Sequence, residues 1–134
     1  LITGAETGGA FFMAEVTVAP GGGPPPHVHS REDESFYLQQ GTLAVQVGDK
    51  ALNLSTGDFV HMPRGVVHSF KNVGEETAKL LMMVTPAGLE TYFAEVFFPV
   101  AEIAGISQIG QAVIDRALKT APKYGLALLP PAQA

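Results

Sequence analysis

The chain has 134 residues, a net charge of −5, 46% hydrophobic and 16% charged residues, and neither cysteine nor tryptophan. That length fits one domain with a sizeable core; the missing thiols exclude a disulfide framework, thiolate metal ligands and a cysteine nucleophile, and so low a charged fraction excludes intrinsic disorder. Eight basic residues spread along an acidic chain argue against nucleic acid as a partner, and no apolar run is long enough to cross a bilayer.

The opening Leu1-Ile2-Thr3-Gly4 lacks a basic region followed by an apolar stretch, so no signal peptide and a cytoplasmic location are the expectations. Phe12, Ala14, Val16 and Val18 share one face of an extended segment, the period-two pattern of a half-buried strand. Pro20 to Pro26 is a glycine- and proline-rich loop that stiffens into polyproline geometry just before His27. Strand-like runs follow at Ser35–Gln40, Leu43–Val47, Ala51–Leu54, Phe59–Met62, Val66–Val73 and Thr77–Thr85, separated by Gly41, Gly48-Asp49, Gly57-Asp58, Pro63-Arg64-Gly65 and Gly74-Glu75-Glu76.

After Pro86 the texture changes. Leu89, Phe93, Val96 and Phe97 recur at helical spacing until Pro99. Ser107 is placed to cap a second helix, with Ile109, Val113 and Ala117 as its apolar stripe and Asp115–Lys119 as a favourable pair. Pro122 ends it, and Leu126–Leu129 is a short apolar tail. Strands first and helices last predict an all-β fold with a helical appendage: residues 1–86 form a β-barrel or sandwich, and residues 87–134 form a C-terminal helical extension packed on the same domain.

The chemistry concentrates in two stretches. In His27-Val28-His29, a spacing of two puts both imidazoles on one face of an extended segment, which a helix would not do. Glu34 opens the next strand and shares its parity with Phe36 and Leu38. Further on, Pro63 and Gly65 build a turn that delivers His68 onto a strand, with Phe70 on its side. Three neutral imidazoles and one carboxylate suit one divalent transition metal, such as Fe, Ni, Mn, Co or Zn, and the donor set does not choose among them. The bland alternative is a chance histidine pair at a strand end and a solvated Glu34.

The same residues carry a family pattern. Gly21, His27, His29, Glu34 and Gly41 stand at the intervals G-x5-HxH-x4-E-x6-G, and Gly57, Pro63, Gly65, His68 and Asn72 at G-x5-PxG-x2-H-x3-N. In both, the chain resembles the cupin superfamily. The resemblance implies a jelly-roll β-barrel in which His27, His29, Glu34 and His68 are the metal ligands. The tail from Tyr124-Gly125 to Pro130-Pro131 further resembles small quercetin 2,3-dioxygenase-like cupins, implying a metal-dependent, ring-opening oxygenation of a flavonol or related enolised aromatic, with Glu34 as the catalytic base.

Around these ligands, Phe36, Leu38, Phe70 and Met82 are the expected apolar substrate pocket, which favours an aromatic small molecule over a sugar phosphate. His61 is read as barrel wall or surface, Arg64 as solvated, and Tyr37 as facing outward. The Phe-rich helix (Phe93, Phe97, Phe98) is read as core or dimer contact. Glu32 and Asp33 are read as solvated, although a bulge would change which carboxylate faces inward. The rival readings are a non-enzymatic barrel that holds a metal and a small ligand, and a metal-dependent decarboxylase or isomerase. An apolar first strand and the Phe-rich helix need cover, so a homodimer is expected.

Overall fold

A computed structural model describes residues 1–97 and 111–129. The strands are β1 (Phe12–Val18), β2 (His27–His29), β3 (Asp33–Gln40), β4 (Thr42–Val47), β5 (Lys50–Ser55), β6 (Phe59–Met62), β7 (His68–Lys71), β8 (Ala78–Thr85) and β9 (Leu126–Leu128). The helices are α1 (Gly4–Thr7), α2 (Leu89–Phe97) and α3 (Gln111–Thr120), the last followed by a 3₁₀ turn at Ala121–Tyr124.

The strands form two antiparallel sheets, ordered β1-β8-β3-β6 and β5-β4-β7-β2-β9. Alternation along each strand sends one set of side chains into the space between them. Phe12 and Val18 of β1, Phe36 and Leu38 of β3, Leu43 and Val45 of β4, Val60 and Met62 of β6, and Leu80, Met82 and Val84 of β8 are all buried in one cluster. Removing this apolar surface from water is the main force holding the sheets together. The result is the all-β architecture with C-terminal helices that the residue pattern predicts.

The chain passes from the first sheet to the second between β3 and β4, at Gly41. Its φ is +92° and the Cα of Ala78 lies 3.0 Å from where a Cβ would stand. Only glycine meets both the backbone conformation and the close approach there.

Helix α2 lays Leu89, Tyr92 and Val96 onto the core, the i, i+3, i+7 stripe of an amphipathic helix. Phe93 packs beside them, its ring 6.1 Å from that of Phe12. Val113 and Ala117 of α3 pack against the same cluster. Ser107, Ile109, Phe98, Pro99 and the Pro130-Pro131 tail fall outside the described residues, as does the side chain of Phe97. No described helix is long and apolar enough to cross a membrane.

One expectation needs correction. The apolar tail Leu126–Leu129 does not simply end the chain: Leu126–Leu128 is strand β9, paired antiparallel with β2 so that Leu128 faces His27 and Leu126 faces His29. Three residues give too few alternations for a period to show, and the partner is about a hundred positions away. The short helix α1 likewise lacks a sequence signal, having four residues and no apolar stripe.

Candidate metal centre

The site is assembled from both sheets. His27 and His29 sit on β2, whose central position between β7 and β9 fixes their direction. His68 begins β7 and is the cross-strand partner of His27. Glu34 lies on β3 in the opposite sheet, between Met62 of β6 and Val84 of β8. Strand parity points all four side chains into the interior, where each is buried.

One atom from each residue can be chosen so that all lie within 4.8 Å of one another. The Glu34 Oε2 is 3.0 Å from His68 Nε2 and 3.1 Å from His29 Nε2. The imidazole rings crowd together, His27 and His68 at 4.3 Å between centroids and His29 and His68 at 5.2 Å. Donors on one small ion with bonds of about 2.0–2.2 Å stand about 3–4 Å apart, so His27, His29, Glu34 and His68 would hold such an ion after side-chain adjustment.

Proton placement fits the same use. The Nδ1 of His27 lies 2.9 Å from the carbonyl oxygen of Pro25, and that of His68 lies 3.4 Å from the carbonyl oxygen of Val66. A carbonyl oxygen only accepts, so these contacts favour Nδ1–H and leave Nε2 as the lone-pair atom. Lone pairs facing a carboxylate need a positive charge between them. A proton can serve pair by pair; a divalent cation serves the whole set at once.

The electrostatics follow from burial. Desolvation, helped by the neighbouring His68, lowers the His27 pKa from 6.5 to about 4, so this imidazole stays neutral. Burial pushes Glu34 the other way, but the imidazoles of His29 and His68 outweigh it and hold the carboxyl at about 2. Neutral imidazole and ionised carboxylate are the forms that bind a metal.

Phe36 and Phe70 stand one strand step below Glu34 and His68, in a T-shaped contact at 5.0 Å, and Met82 is the register partner of Phe36. Leu38, fully buried, is four residues beyond Glu34, roughly 14 Å along the strand. Tyr37 faces outward, and His61 stands exposed on the barrel wall with Nδ1 2.8 Å from Ser35 Oγ. Arg64 is exposed and paired with Asp33 at 3.2 Å.

Glu32 departs from the sequence reading. It is not solvated but buried, its Oε2 3.6 Å from His29 Nδ1, on the side of the ring away from Glu34. Its shared parity with Glu34 was the available signal: two acids two apart on one extended run turn the same way. Met62 and Val84 flank Glu34 through strand pairing and not through proximity in the chain, so no local signal marks them. Asn72, the last residue of the second motif, has a structural role. Its buried amide donates to the carbonyl oxygens of Val18 and Glu76 and accepts from Gly74 N–H.

Comparison with known proteins agrees with this fold. The model of the Cupin domain family matches residues 14–84. A germin-like protein, subfamily 2 member 2, of Arabidopsis thaliana is 33% identical over 116 residues, covering 78% of this chain and 53% of that protein. A quercetin 2,3-dioxygenase of Aspergillus japonicus is 32% identical over 100 residues, 69% of this chain and 28% of that enzyme. Among solved structures, a predicted oxalate decarboxylase from Thermotoga maritima superposes with a TM-score of 0.59 at 24% identity, covering 64% of this chain and 75% of that one. The chain thus spans about half the length of the germin-like relative and less of the dioxygenase.

Proposed function

The chain belongs to the cupin family, and on that footing we propose that it is a metal-dependent dioxygenase acting on a flavonol or a related enolised aromatic. The observation that carries this reading is the meeting of three imidazoles and one carboxylate, drawn from both sheets, inside a largely apolar core. His27, His29, Glu34 and His68 would hold one divalent ion, with Fe, Ni, Mn, Co and Zn all compatible with such donors. When bound, that ion would supply Lewis acidity that lowers the pKa of a substrate hydroxyl.

The remaining work falls to the chain's own side chains. Glu34, kept ionised by the imidazoles beside it, would be the proton acceptor for the enolic hydroxyl; held at about 2 it is a weak base, so it takes that proton only from a hydroxyl that is itself acidified. Phe36, Phe70 and Met82, packed in the core beside the ligands, would give the site the apolar surroundings that suit an aromatic substrate. The arginines nearest in sequence are turned elsewhere, Arg31 donating to the Lys123 carbonyl oxygen and Arg64 to Asp33. Neither is placed to clamp a phosphate or dicarboxylate, which supports a substrate without anionic groups. The likeness to a quercetin 2,3-dioxygenase supports the same substrate class.

Dioxygen uptake measured with quercetin, using protein loaded in turn with each of the five metals, tests the proposal. Uptake that depends on metal and is lost in Glu34→Ala is the expected result; no uptake with any metal rejects the oxygenase. A second reading, a barrel that holds a metal and a small ligand without turnover, draws on the low exposure of the four side chains, 1–7%. Metal retention and quercetin binding without oxygen consumption would establish it instead.

A homodimer belongs to the same proposal. Strand β1 is an edge of its sheet, bridged on its outer side by Ile2 at Met13, and an open edge favours a partner. Light scattering decides this, and a monomeric mass rejects it.

A further inference from the structure

His29 differs from its two companions in what its second ring nitrogen faces. For His27 and His68, Nδ1 meets a backbone carbonyl oxygen two residues earlier, Pro25 and Val66. For His29 it meets a side chain, the Oε2 of Glu32, at 3.6 Å. Both atoms are buried, and neither has a hydrogen-bond partner among the described residues. An unpartnered carboxylate oxygen and an unpartnered imidazole nitrogen face to face in a dry interior are costly apart and complementary together.

The placement also says what Glu32 does not do. Glu34 approaches the Nε2 side of His29 at 3.1 Å, so Glu32 lies across the ring from the centre. It is shielded from the other ligands by the imidazole itself and is not placed to be a further ligand.

We propose that Glu32 is a positioning residue: its carboxylate accepts the His29 Nδ1–H, which fixes the tautomer and turn of the ring and directs the Nε2 lone pair toward Glu34 and the metal. This rests on the metal-centre reading above and extends it to a residue outside the ligand set. Closing the gap from 3.6 Å to hydrogen-bond distance is a side-chain adjustment of about half an ångström. A carboxylate behind a metal-bound imidazole raises its basicity and holds its plane, and loss of such a partner weakens metal binding about 10- to 100-fold.

Two readouts on Glu32→Ala and Glu32→Gln test this. The first is the histidine tautomers of the metal-free protein, from long-range ¹⁵N–¹H NMR. His29 is expected to carry a proton on Nδ1 in the wild type and in Glu32→Gln, whose amide oxygen still accepts, and to carry one only on Nε2, facing Glu34, in Glu32→Ala, while His27 and His68 stay unchanged. The second is Co(II) affinity by chelator competition, expected to fall at least about 10-fold in Glu32→Ala and less in Glu32→Gln. A folded Glu32→Ala with an unaltered His29 tautomer and wild-type Co(II) affinity overturns the proposal. Should Glu32→Ala not fold, the wild type and Glu32→Gln decide: His29 found as Nε2–H in both overturns it, and Nδ1–H in both with a modest affinity loss in Glu32→Gln supports it. A wild type that binds no Co(II) sinks the metal reading separately, because the tautomer comparison needs no metal.

Discussion

The backbone N–H of Gly65 donates to the carbonyl oxygen of His29 at 2.8 Å. This bond ties the turn of the second motif to the strand that carries two of the three imidazoles. Asp33 adds to it by accepting from the backbone N–H of Arg64 at 2.8 Å. The two motifs therefore share one scaffold, and His68, three residues past Gly65, starts its strand from a fixed point.

Replacing Gly65 by alanine tests that scaffold. Its φ is +77°, and nothing lies within 4 Å of the added Cβ, so the strain is purely in the backbone. The left-handed region costs an L-residue about 1–2 kcal/mol. Urea melts should show a loss of that order, together with weaker Co(II) binding as His29 and His68 lose their mutual placement. Unchanged Co(II) affinity in the destabilised variant would show that the turn supports the fold alone.

Asn72→Ala should act on the fold and spare the chemistry. Its amide joins three backbone groups from three places in the chain, at Val18, Gly74 and Glu76. Truncation leaves buried donors and acceptors without partners, at a cost of about 2–4 kcal/mol. Asn72→Asp should be at least as damaging, since it sets a carboxylate against two carbonyl oxygens. Denaturant unfolding measures the loss, and the folded fraction should bind Co(II) as the wild type does.

The strands from Phe12 to Thr85 were legible because alternation is a local signal, and the glycines and prolines between them break it at the right intervals. The grouping of His27, His29, Glu34 and His68 was suggested by motif spacing, not by local periodicity, because contact between opposite sheets has no local sequence trace. Glu32 looks solvated in the sequence because a Glu-Asp-Glu run has the texture of surface charge; alternation turns its first and third members inward while Asp33 turns to Arg64. Strand β9 was invisible because three residues carry no period and their partner strand is remote in sequence.

Metal should stabilise the protein by binding to those four residues. A ligand that binds only the folded state adds RT ln(1 + [L]/Kd), about 2.7 kcal/mol at a hundredfold excess over Kd. Thermal melts with and without Ni(II) or Co(II) should show a clear rise in Tm for the wild type that chelator reverses. His68→Ala and Glu34→Gln should show none, whereas His61→Ala, altered on the outer wall beside Ser35, should keep the full rise. A rise that survives in both ligand variants would place the metal elsewhere.

Acid should unfold the metal-free protein in two overlapping stages. His27 has a folded pKa of about 4 against 6.5 ordinarily, so between those values the unfolded chain binds the extra proton and stability falls as pH falls. Glu34 has a folded pKa of about 2 against 4.5 ordinarily; its contribution is complete above 4.5 and is lost as pH drops toward 2. Both windows have the same sign, so stability measured by denaturant should decline continuously below about pH 6.5, with each group contributing a slope of at most about 1.4 kcal/mol per pH unit. His27→Gln removes the upper stage, so its stability should fall less than that of the wild type from pH 6.5 to about 4.5, where Glu32, raised by burial, acts in the opposite direction. A wild type as flat as this variant across the upper window would mean that His27 is not held neutral by its surroundings, and the arrangement of lone pairs around Glu34 would have to be redrawn.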